Sequence, residues 1–486
     1  MDFKEITLSR ALEGLRSGEY SAIELTQSLL ERSAQLNPKL NAYISIHAEQ
    51  AMAAAQEADA KLSRGEDIGP LTGIPIAVKD GIVTKGPSTA GSHMLEHFSA
   101  TYNASVVERL QQAGAIILGK TNCDEFAFGV SGEYSAFGPS RNPWDTERVP
   151  GGSSSGSAVA VAAGLALGSL GSDTGGSVRQ PASMTNLVGI RPSYGRVSRY
   201  GLIGTASSLD TIGVFGRNVE DAVRIFQAIA GHDTKDATSL PDAVPDYLAL
   251  MQEKNRKLRI GIPKEYFSDA LRDDVRAVVE QAIMTLRQLG HEPVEISLPH
   301  TEESLAVYYI LNPSESSSNL ARFDGIRYGH SALEKNEKAP LGEVFAKSRD
   351  EGFGPEAKRR ILLGTFALSS GYAAKYYVKA QQVRTLVKED FTNAFQSVDL
   401  IVTPTVPEPA WKIGEVQDPL KLYLADIFMT ATSLAGLPAI SVPAGFVDGL
   451  PVGMQIIGKS LAEAEIFALA QQYENSSEWV KQFPKL

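Results

Sequence analysis

The stretch from residue 151 to residue 177 reads GGSSSGSAVAVAAGLALGSLGSDTGGS. Two clusters of glycine and serine, 151–157 and 171–177, enclose an Ala/Val/Leu run from Ala158 to Leu170. Flexible linkers are also rich in glycine and serine, but they rarely flank apolar segments of this kind. The pattern therefore predicts serine hydroxyls that are presented on glycine-rich backbone and held against a buried core.

An apolar run upstream supplies a partner for these serines. Ile74-Pro-Ile-Ala-Val78 predicts a buried strand, and Lys79 ends it. A serine hydroxyl is a weak nucleophile that needs a base, and lysine can be that base only when it is neutral. Burial favours the neutral amine because it disfavours the ammonium form. We therefore expect a Ser–Ser–Lys site in which Gly175 and Gly176 bring backbone N–H groups close to a substrate oxygen beside Ser177.

The composition limits the classes of function. The chain has 486 residues, a hydrophobic content of 43%, a net charge of −11 and one cysteine, Cys123. The acidic balance gives no sign of direct nucleic-acid binding, so a role with RNA would need a partner. One cysteine excludes an internal disulfide framework and a cysteine-rich zinc site, and it fits a reducing compartment. Residues 1–5 show no apolar signal region, and no run of about 18 apolar residues predicts a membrane span.

Strand and helix patterns alternate along most of the chain. This alternation predicts an α/β fold, a single large domain with a mixed β-sheet covered by helices on both faces. The predicted strands are 74–79, 115–119, 258–262, 293–297, 399–404, 439–443 and 452–457, and the predicted helices lie near 104–113, 156–168, 219–230, 271–289 and 461–473.

The domain 1–486 divides into three parts. Residues 1–64 are predicted to be helical, with Ser21 and Glu24 as a capping box and with Pro38 ending that helix. Residues 65–300 and 396–486 are predicted to form the α/β core. Residues 301–395 are mostly helical, and strand patterns return after them, which indicates an insertion in one sheet domain.

Three short motifs suggest other chemistry. Residues 114–121 fit the phosphate-loop pattern, but the four middle residues are apolar and predict a strand rather than a bendable loop. Residues 93–97 fit the zinc motif H-x-x-E-H, but poor helix formers flank it, which favours surface histidines. Residues 152–156 fit G-x-S-x-G with Ser154 as nucleophile, yet a polar loop precedes them where that motif needs a strand. The base would have to be a histidine with no recognisable setting: His232, His291, His300 or His330.

Several longer segments together resemble the amidase signature family. They are 73–80 (GIPIAVKD), 120–126 (KTNCDEF), 142–145 (NPWD), 191–201 (RPSYGRVSRYG) and, most specifically, 151–180. Within that family the chain is similar to the glutaminase subunits of tRNA-dependent amidotransferases, on residues 316–329, 358–366 and 418–426. The resemblance covers nearly the whole chain and implies an amide-hydrolysing enzyme.

The resemblance implies a role for each matching residue of the catalytic site. Ser177 would be the nucleophile and Lys79 the base. Ser153, after a cis peptide bond, would be the serine that bridges them. The oxyanion hole would be formed by N–H groups of Thr174, Gly175, Gly176 and Ser177.

The resemblance also implies a site for glutamine. Arg359 would hold its carboxylate and Asp426 its ammonium group, with Tyr309 beside them. Arg360 and Tyr308 stay alternative matches because each neighbour is of the same type. Another alternative is that Arg359 and Asp426 are only surface ion-pair partners.

Partners follow from the same resemblance. Such enzymes form a γ-glutamyl ester, release ammonia and pass it to a GatB-like partner, which amidates Glu-tRNA(Gln) or Asp-tRNA(Asn). We therefore expect a cytoplasmic heterotrimer with GatB-like and GatC-like subunits, tRNA contact mainly through the GatB-like partner, and no membrane. ATP and magnesium would be used by that partner, with no cofactor or metal in this chain. The alternatives are a stand-alone amidase with the same catalytic residues, an inactive scaffold and a zinc protease at His93 and His97.

Three segments depart from the family's usual pattern. Residues 128–131 are Phe-Gly-Val-Ser where the family usually has Met-Gly-Gly-Ser. Thr211 and Val214 replace Gln and Pro, and residues 184–186 are Met-Thr-Asn in place of Phe-Cys-Gly. The first departure borders the predicted substrate pocket and bears on fine specificity, whereas the other two concern packing. Cys123 lies where the family tolerates methionine, so it is predicted to be a core residue.

Overall fold

The computed structural model describes residues 3–66, 69–252, 257–333 and 338–486. Residues 1–2, which belong to the segment expected to lack a signal region, lie outside the described residues. The strands in chain order are β1 (Tyr43–Ile46), β2 (Pro75–Lys79), β3 (Gly86–Pro87), β4 (Ser99–Ala100), β5 (Ile116–Thr121), β6 (Gly168–Asp173), β7 (Val188–Arg191), β8 (Thr211–Gly216), β9 (Arg259–Pro263), β10 (Glu292–Ile296), β11 (Leu400–Pro404), β12 (Ala439–Val447) and β13 (Leu450–Ile457).

Eleven of these strands form one mixed sheet, in the order β1-β5-β2-β6-β8-β7-β12-β13-β11-β9-β10, and β3 pairs with β4 separately. β2 runs parallel to β5 and β6, while β6 is antiparallel to β8. Every residue of β2, β6, β7, β8, β11 and β13 is buried. Because successive residues of a strand face opposite sides of the sheet, both faces of its centre are covered. The predicted fold class is confirmed.

The α-helices that cover the sheet are α1 (Leu8–Ser17), α2 (Ala22–Leu40), α3 (Ala48–Ser63), α4 (Ser105–Gln112), α5 (Ser155–Ala162), α6 (Arg179–Thr185), α7 (Val219–Ile229), α8 (Tyr247–Met251), α9 (Asp273–Gln288), α10 (Thr301–Leu320), α11 (Leu341–Gly352), α12 (Pro355–Leu368), α13 (Lys379–Ala394), α14 (Pro419–Tyr423), α15 (Thr430–Ala435) and α16 (Glu463–Asn475). No helix in the described ranges is long and apolar enough to cross a membrane.

The helical stretch α10 to α13 leaves the sheet after β10 and returns to it at β11. β9 lies between these two strands and runs parallel to both. The chain before and after the helical stretch therefore contributes to the same sheet, whereas the division into three parts stays a prediction.

Some local predictions are wrong, and packing explains them. Pro38 does not end α2, which continues to Leu40, because the N–H of Asn41 still closes the last turn on the carbonyl of Asn37. β1 interrupts the N-terminal region that was predicted to be entirely helical. The helix predicted near 156–168 stops at Ala162, and strand β6 follows it. This strand forms although Gly and Ser supply half or more of the residues of β6. Pairing with β2 and β8 on either side overrides that low strand propensity.

Candidate active site

Three neighbouring parallel strands deliver the predicted catalytic segments to one edge of the sheet. β5, β2 and β6 end at Thr121, Lys79 and Asp173, and the carboxyl ends of parallel strands lie at the same edge. The first glycine–serine cluster runs into the first turn of α5 and reaches this edge, where the N–H of Asp124 donates to the carbonyl of Ser153 at 3.2 Å. The sheet therefore brings Lys79 and both clusters together.

Lys79 is buried, with 1% of its surface exposed. Its Nζ lies 2.8 Å from Ser153 Oγ, 2.9 Å from Ser172 Oγ and 3.1 Å from Ser154 Oγ. Burial lowers the pKa of Lys79, and nearby acidic groups oppose that change only in part. The amine is thus placed and tuned to act as a base toward a serine hydroxyl.

Ser153 follows a cis peptide bond from Gly152, as the resemblance implied. The N–H of Gly152 donates to Gln180 Oε1 at 2.9 Å. A Cβ at Gly152 would collide with the carboxylate of Asp124, so this position has room only for glycine. These contacts fix the backbone that presents Ser153 to Lys79.

Ser177 lies next to Ser154, and 8% of its surface is exposed. Its carbonyl accepts from the N–H of Ser154 at 3.3 Å. Thr174, at the start of the predicted oxyanion segment, donates its hydroxyl to Asp210 Oδ1 at 2.7 Å. Ser153, Ser154 and Ser177 are all buried.

The two glycines of the oxyanion segment are packed tightly. A Cβ at Gly175 would collide with the ring of Tyr308, and one at Gly176 would collide with Met429. Gly176 also has a φ of +141°, which side chains of L-residues rarely allow. Both positions therefore require glycine, and both lie against the elements that carry the predicted substrate residues.

A buried ion-pair cluster anchors the start of this segment. Asp173 Oδ2 accepts from Arg179 Nε at 3.0 Å, and its Oδ1 accepts from Arg191 Nη1 at 2.7 Å. Burial alone would raise the pKa of Asp173, but the two arginines hold it well below its usual range. Sequence reasoning missed this cluster. The available signal was the placement of Asp173 within the second glycine–serine cluster and of Arg179 two residues after it.

Asp426, the predicted ammonium-binding residue, is buried and lies next to Tyr309. The Tyr309 hydroxyl donates to Asp426 Oδ2 at 2.8 Å. Burial raises the pKa of Asp426 to about 7, although the Tyr309 hydrogen bond lowers it. The N–H of Met429 donates to the carbonyl of Asp426 at 2.9 Å, which places Asp426 one turn from the residue that covers Gly176. Since its exposed fraction is 5%, Asp426 is not a surface residue.

The adjacent arginines have different surroundings. The Arg359 side chain is 40% exposed and pairs with Glu356. Arg360 is buried, donates to Glu356 Oε1 at 2.7 Å and lies 4.7 Å over the ring of Tyr309 and 4.8 Å over that of Tyr423. Arg360 thus packs against the rings of Tyr309 and Tyr423, whereas the guanidinium of Arg359 stays partly open to a ligand. Their assignment to substrate stays a prediction.

Two of the three departures from the family pattern meet in space. Val130 packs in one apolar cluster with Met184 and Met429. The Phe128 ring lies 5.8 Å from the Arg360 guanidinium. The first departure therefore lies against both Arg360 and the residue that covers Gly176, while Met184 fills space beside Val130. Cys123 is buried, and burial raises the pKa of its thiol to about 12, consistent with a core residue.

The phosphate-loop pattern and the zinc motif do not have the local backbone conformation that their chemistry needs. Residues 116–121 of the phosphate-loop pattern are β5, and the Lys120 amine is occupied by the carbonyl of Ile82 and the hydroxyl of Ser88. The H-x-x-E-H segment forms a single 3₁₀ turn, His93–Leu95, instead of the α-helix that would place both histidines on one face. Within the described ranges, no group of His, Cys, Asp and Glu is arranged to hold a metal ion.

In the described part of the chain, the serine of the G-x-S-x-G pattern contacts Lys79 and Ser172 rather than a histidine. Ser154 donates its hydroxyl to the carbonyl of Ser172 at 3.1 Å. Three of the candidate histidines bond elsewhere, His291 to Gln472, His300 to Asp390 and His330 to Glu351.

Comparisons with known proteins agree with this geometry. The amidase family profile matches residues 24–467. The chain is 52% identical to the A subunit of a glutamyl-tRNA(Gln) amidotransferase from Carboxydothermus hydrogenoformans, over 99% of this chain and 98% of that protein. The crystal structure of the protein of the same name from Thermotoga maritima superposes with a TM-score of 0.82 at 40% identity, covering 100% of this chain and 98% of that one.

A structure of different activity also matches over its full length. A peptide amidase in complex with the inhibitor chymostatin superposes with a TM-score of 0.86 at 31% identity, and each chain is covered completely. The architecture is therefore shared by enzymes that differ in substrate. On the profile match and these identities, the chain belongs to the amidase family.

Proposed function

We propose that this chain is the glutaminase subunit of a tRNA-dependent amidotransferase. The observation that carries the proposal is the buried Lys79 amine, 2.8 Å from Ser153 Oγ at the edge of the sheet that also holds Ser177. The identity of 52% over nearly the full length to a glutamyl-tRNA(Gln) amidotransferase protein supports the substrate assignment.

The arrangement supports acyl transfer through Ser177. Ser177 Oγ attacks the side-chain carbonyl carbon of glutamine and gives its proton to Ser153, which passes its own proton to neutral Lys79. The resulting oxyanion accepts hydrogen bonds from the backbone N–H groups of Thr174, Gly175, Gly176 and Ser177. When the C–N bond breaks, the proton returns from Lys79 through Ser153 to the leaving nitrogen, and ammonia departs. Water then attacks the γ-glutamyl ester and gives a proton through Ser153 to Lys79. That proton returns to Ser177 Oγ as the ester bond breaks and glutamate is released.

Glutamine would bring two charges to a site whose catalytic serines are buried, and each charge needs a partner there. Asp426 is placed for the ammonium group, with Tyr309 holding its carboxylate. Arg359 is the partly open guanidinium suited to the carboxylate. Arg360 and Tyr308 would support these residues by packing. Arg360 packs against the aromatic rings, and Tyr308 packs against Gly175.

The remaining partners follow from the class of the relatives. The chain would work in a cytoplasmic heterotrimer with GatB-like and GatC-like subunits, away from any membrane, and deliver ammonia for the amidation of Glu-tRNA(Gln), Asp-tRNA(Asn) or both. ATP, magnesium and tRNA would be bound by the GatB-like partner. The net charge of −11 supports this division, because an acidic chain is poorly suited to hold RNA by itself.

A stand-alone amidase is the second candidate, favoured by the match to a peptide amidase at 31% identity. It would use the same Lys79, Ser153 and Ser177, but it would not need a charge on either side of its substrate. Turnover of glutamine compared with a small neutral amide separates the two candidates.

The triad is tested by ammonia release from glutamine. Ser177→Ala and Lys79→Arg should reduce release to background, since the first lacks the nucleophile and the second keeps a permanent charge in place of a base. Ser169→Ala is the matched control, because this buried serine on β6 donates its hydroxyl to the carbonyl of Ser157 at 2.8 Å and not to Lys79. Near wild-type release by Lys79→Arg or by Ser177→Ala would reject the mechanism.

A further inference from the structure

Three serine hydroxyls, rather than the one that a relay needs, surround the amine of Lys79. Ser153, Ser172 and Ser154 lie 2.8, 2.9 and 3.1 Å from Nζ. A neutral amine has two N–H groups and one lone pair for three neighbours. The lone pair must face Ser153 if that serine is to hand over its proton. The other two serines must then accept the N–H groups.

The contacts of Ser154 fix its part in this arrangement. Its hydroxyl is 3.1 Å from the carbonyl of Ser172, and a carbonyl can only accept, so the Ser154 proton points there. Ser154 Oγ also accepts from the N–H of Ser172 at 3.2 Å. Toward Lys79 it can therefore only accept. One N–H of the Lys79 amine is therefore assigned to Ser154. The second N–H and the lone pair remain for Ser172 and Ser153.

We propose that Ser172 and Ser154 are positioning residues that hold the two N–H groups of the neutral Lys79 amine and so aim its lone pair at Ser153. The proposal rests on the proposed amidase mechanism and adds to it the reason why the lone pair of Lys79, and not an N–H group, faces Ser153 when that serine hands over its proton. Ser172 decides the outcome, because without it the second N–H can turn to Ser153 and block the relay.

The titratable groups around Lys79 come from three segments. Cys123 and Asp124 follow β5, Asp173 ends β6 and Asp210 precedes β8, and each favours the ammonium form when it is ionised. Burial outweighs them and lowers the pKa of Lys79. A hydroxyl that accepts from the ammonium form also favours it, so removal of the Ser172 hydroxyl should lower that pKa further. In Ser172→Ala, Lys79 should thus lose its proton more easily, but its lone pair should no longer be directed at Ser153.

The test is the pH profile of ammonia release from glutamine by Ser172→Ala, Ser172→Thr and the control Ser169→Ala. In Ser172→Ala, kcat at its high-pH limit should fall about tenfold or more with little change in KM, and the acid limb of kcat/KM should move to lower pH. Ser172→Thr restores a hydroxyl and should recover both. Ser169→Ala lies on the same strand, away from Lys79, and should change neither.

The proposal is overturned if Ser172→Ala has the same kcat and the same acid limb of kcat/KM as Ser169→Ala. A shift of the acid limb to higher pH also overturns it. If Ser172→Ala does not fold, Ser172→Cys makes the same comparison, because a thiol of similar size is a weak acceptor. A dead Ser177→Ala together with an unchanged Ser172 variant rejects this inference alone. An active Ser177→Ala rejects the proposed function itself.

Discussion

The burial of Asp426 predicts that substrate choice depends on pH. Only the carboxylate form of Asp426 can pair with the ammonium group of glutamine. Burial raises the pKa of Asp426 to about 7, far above the usual value of an aspartate. Because a raised pKa means protonation near neutrality, glutamine capture should be lost as the pH falls through 7 and should be complete above it.

The size of the effect follows from that pKa. Between pH 6 and pH 8 the ionised fraction of Asp426 rises from about a tenth to about nine tenths, a gain of about tenfold. Propionamide uses the same Lys79 and Ser177 but has no ammonium group. The ratio of kcat/KM for glutamine to kcat/KM for propionamide should therefore rise about tenfold over this range, because the dependence on Lys79 cancels.

The assay is ammonia release from both amides at pH 6 to 8. Asp426→Asn cannot titrate, so its ratio should stay flat. Asp448→Asn, which alters an aspartate with 82% of its side chain exposed, should behave like the wild type. A flat ratio in the wild type, or a rise that persists in Asp426→Asn, would refute the role of Asp426.

Two further predictions concern substrate and partners. Arg359→Leu should weaken glutamine kcat/KM by about 2 kcal/mol and spare propionamide, the lower end for a desolvated charge pair because Arg359 is partly exposed. Equal losses on both amides would indicate general damage, and a selective loss in Arg360→Leu alone would move the carboxylate site to Arg360. The isolated chain should bind tRNA weakly at physiological salt in a filter-binding assay, because its net charge is −11. Tight binding that falls steeply with salt would contradict the assignment of tRNA to a partner.

Local sequence patterns were enough to predict the framework of the site. The apolar strand that ends in Lys79 and the glycines before Ser177 both followed from residue types that admit few alternatives. The family resemblance then supplied Ser153 and its cis peptide bond, which no periodicity could indicate. The resemblance also selected Asp426, whose burial became visible only in three dimensions.

What the sequence could not show depends on contacts between distant segments. β6 contains many Gly and Ser residues and forms a strand because β2 and β8 flank it. Ser172 reads as one more serine of a cluster until the fold brings its hydroxyl to 2.9 Å from Lys79, 93 residues away in the chain. The pairing of Asp173 with buried Arg191, 18 residues away in the chain, likewise has no local signal, since arginine usually indicates a surface.

The proposed mechanism requires above all that Ser177 carries the acyl group of the substrate. Rapid acid quenching of the enzyme during turnover of glutamine, followed by digestion and mass spectrometry, tests this requirement most directly. We predict a γ-glutamyl adduct on Ser177 that hydroxylamine removes as the hydroxamate and that Ser177→Ala lacks. An adduct on Ser154 with Ser177 unmodified, or full ammonia release by Ser177→Ala, would contradict it.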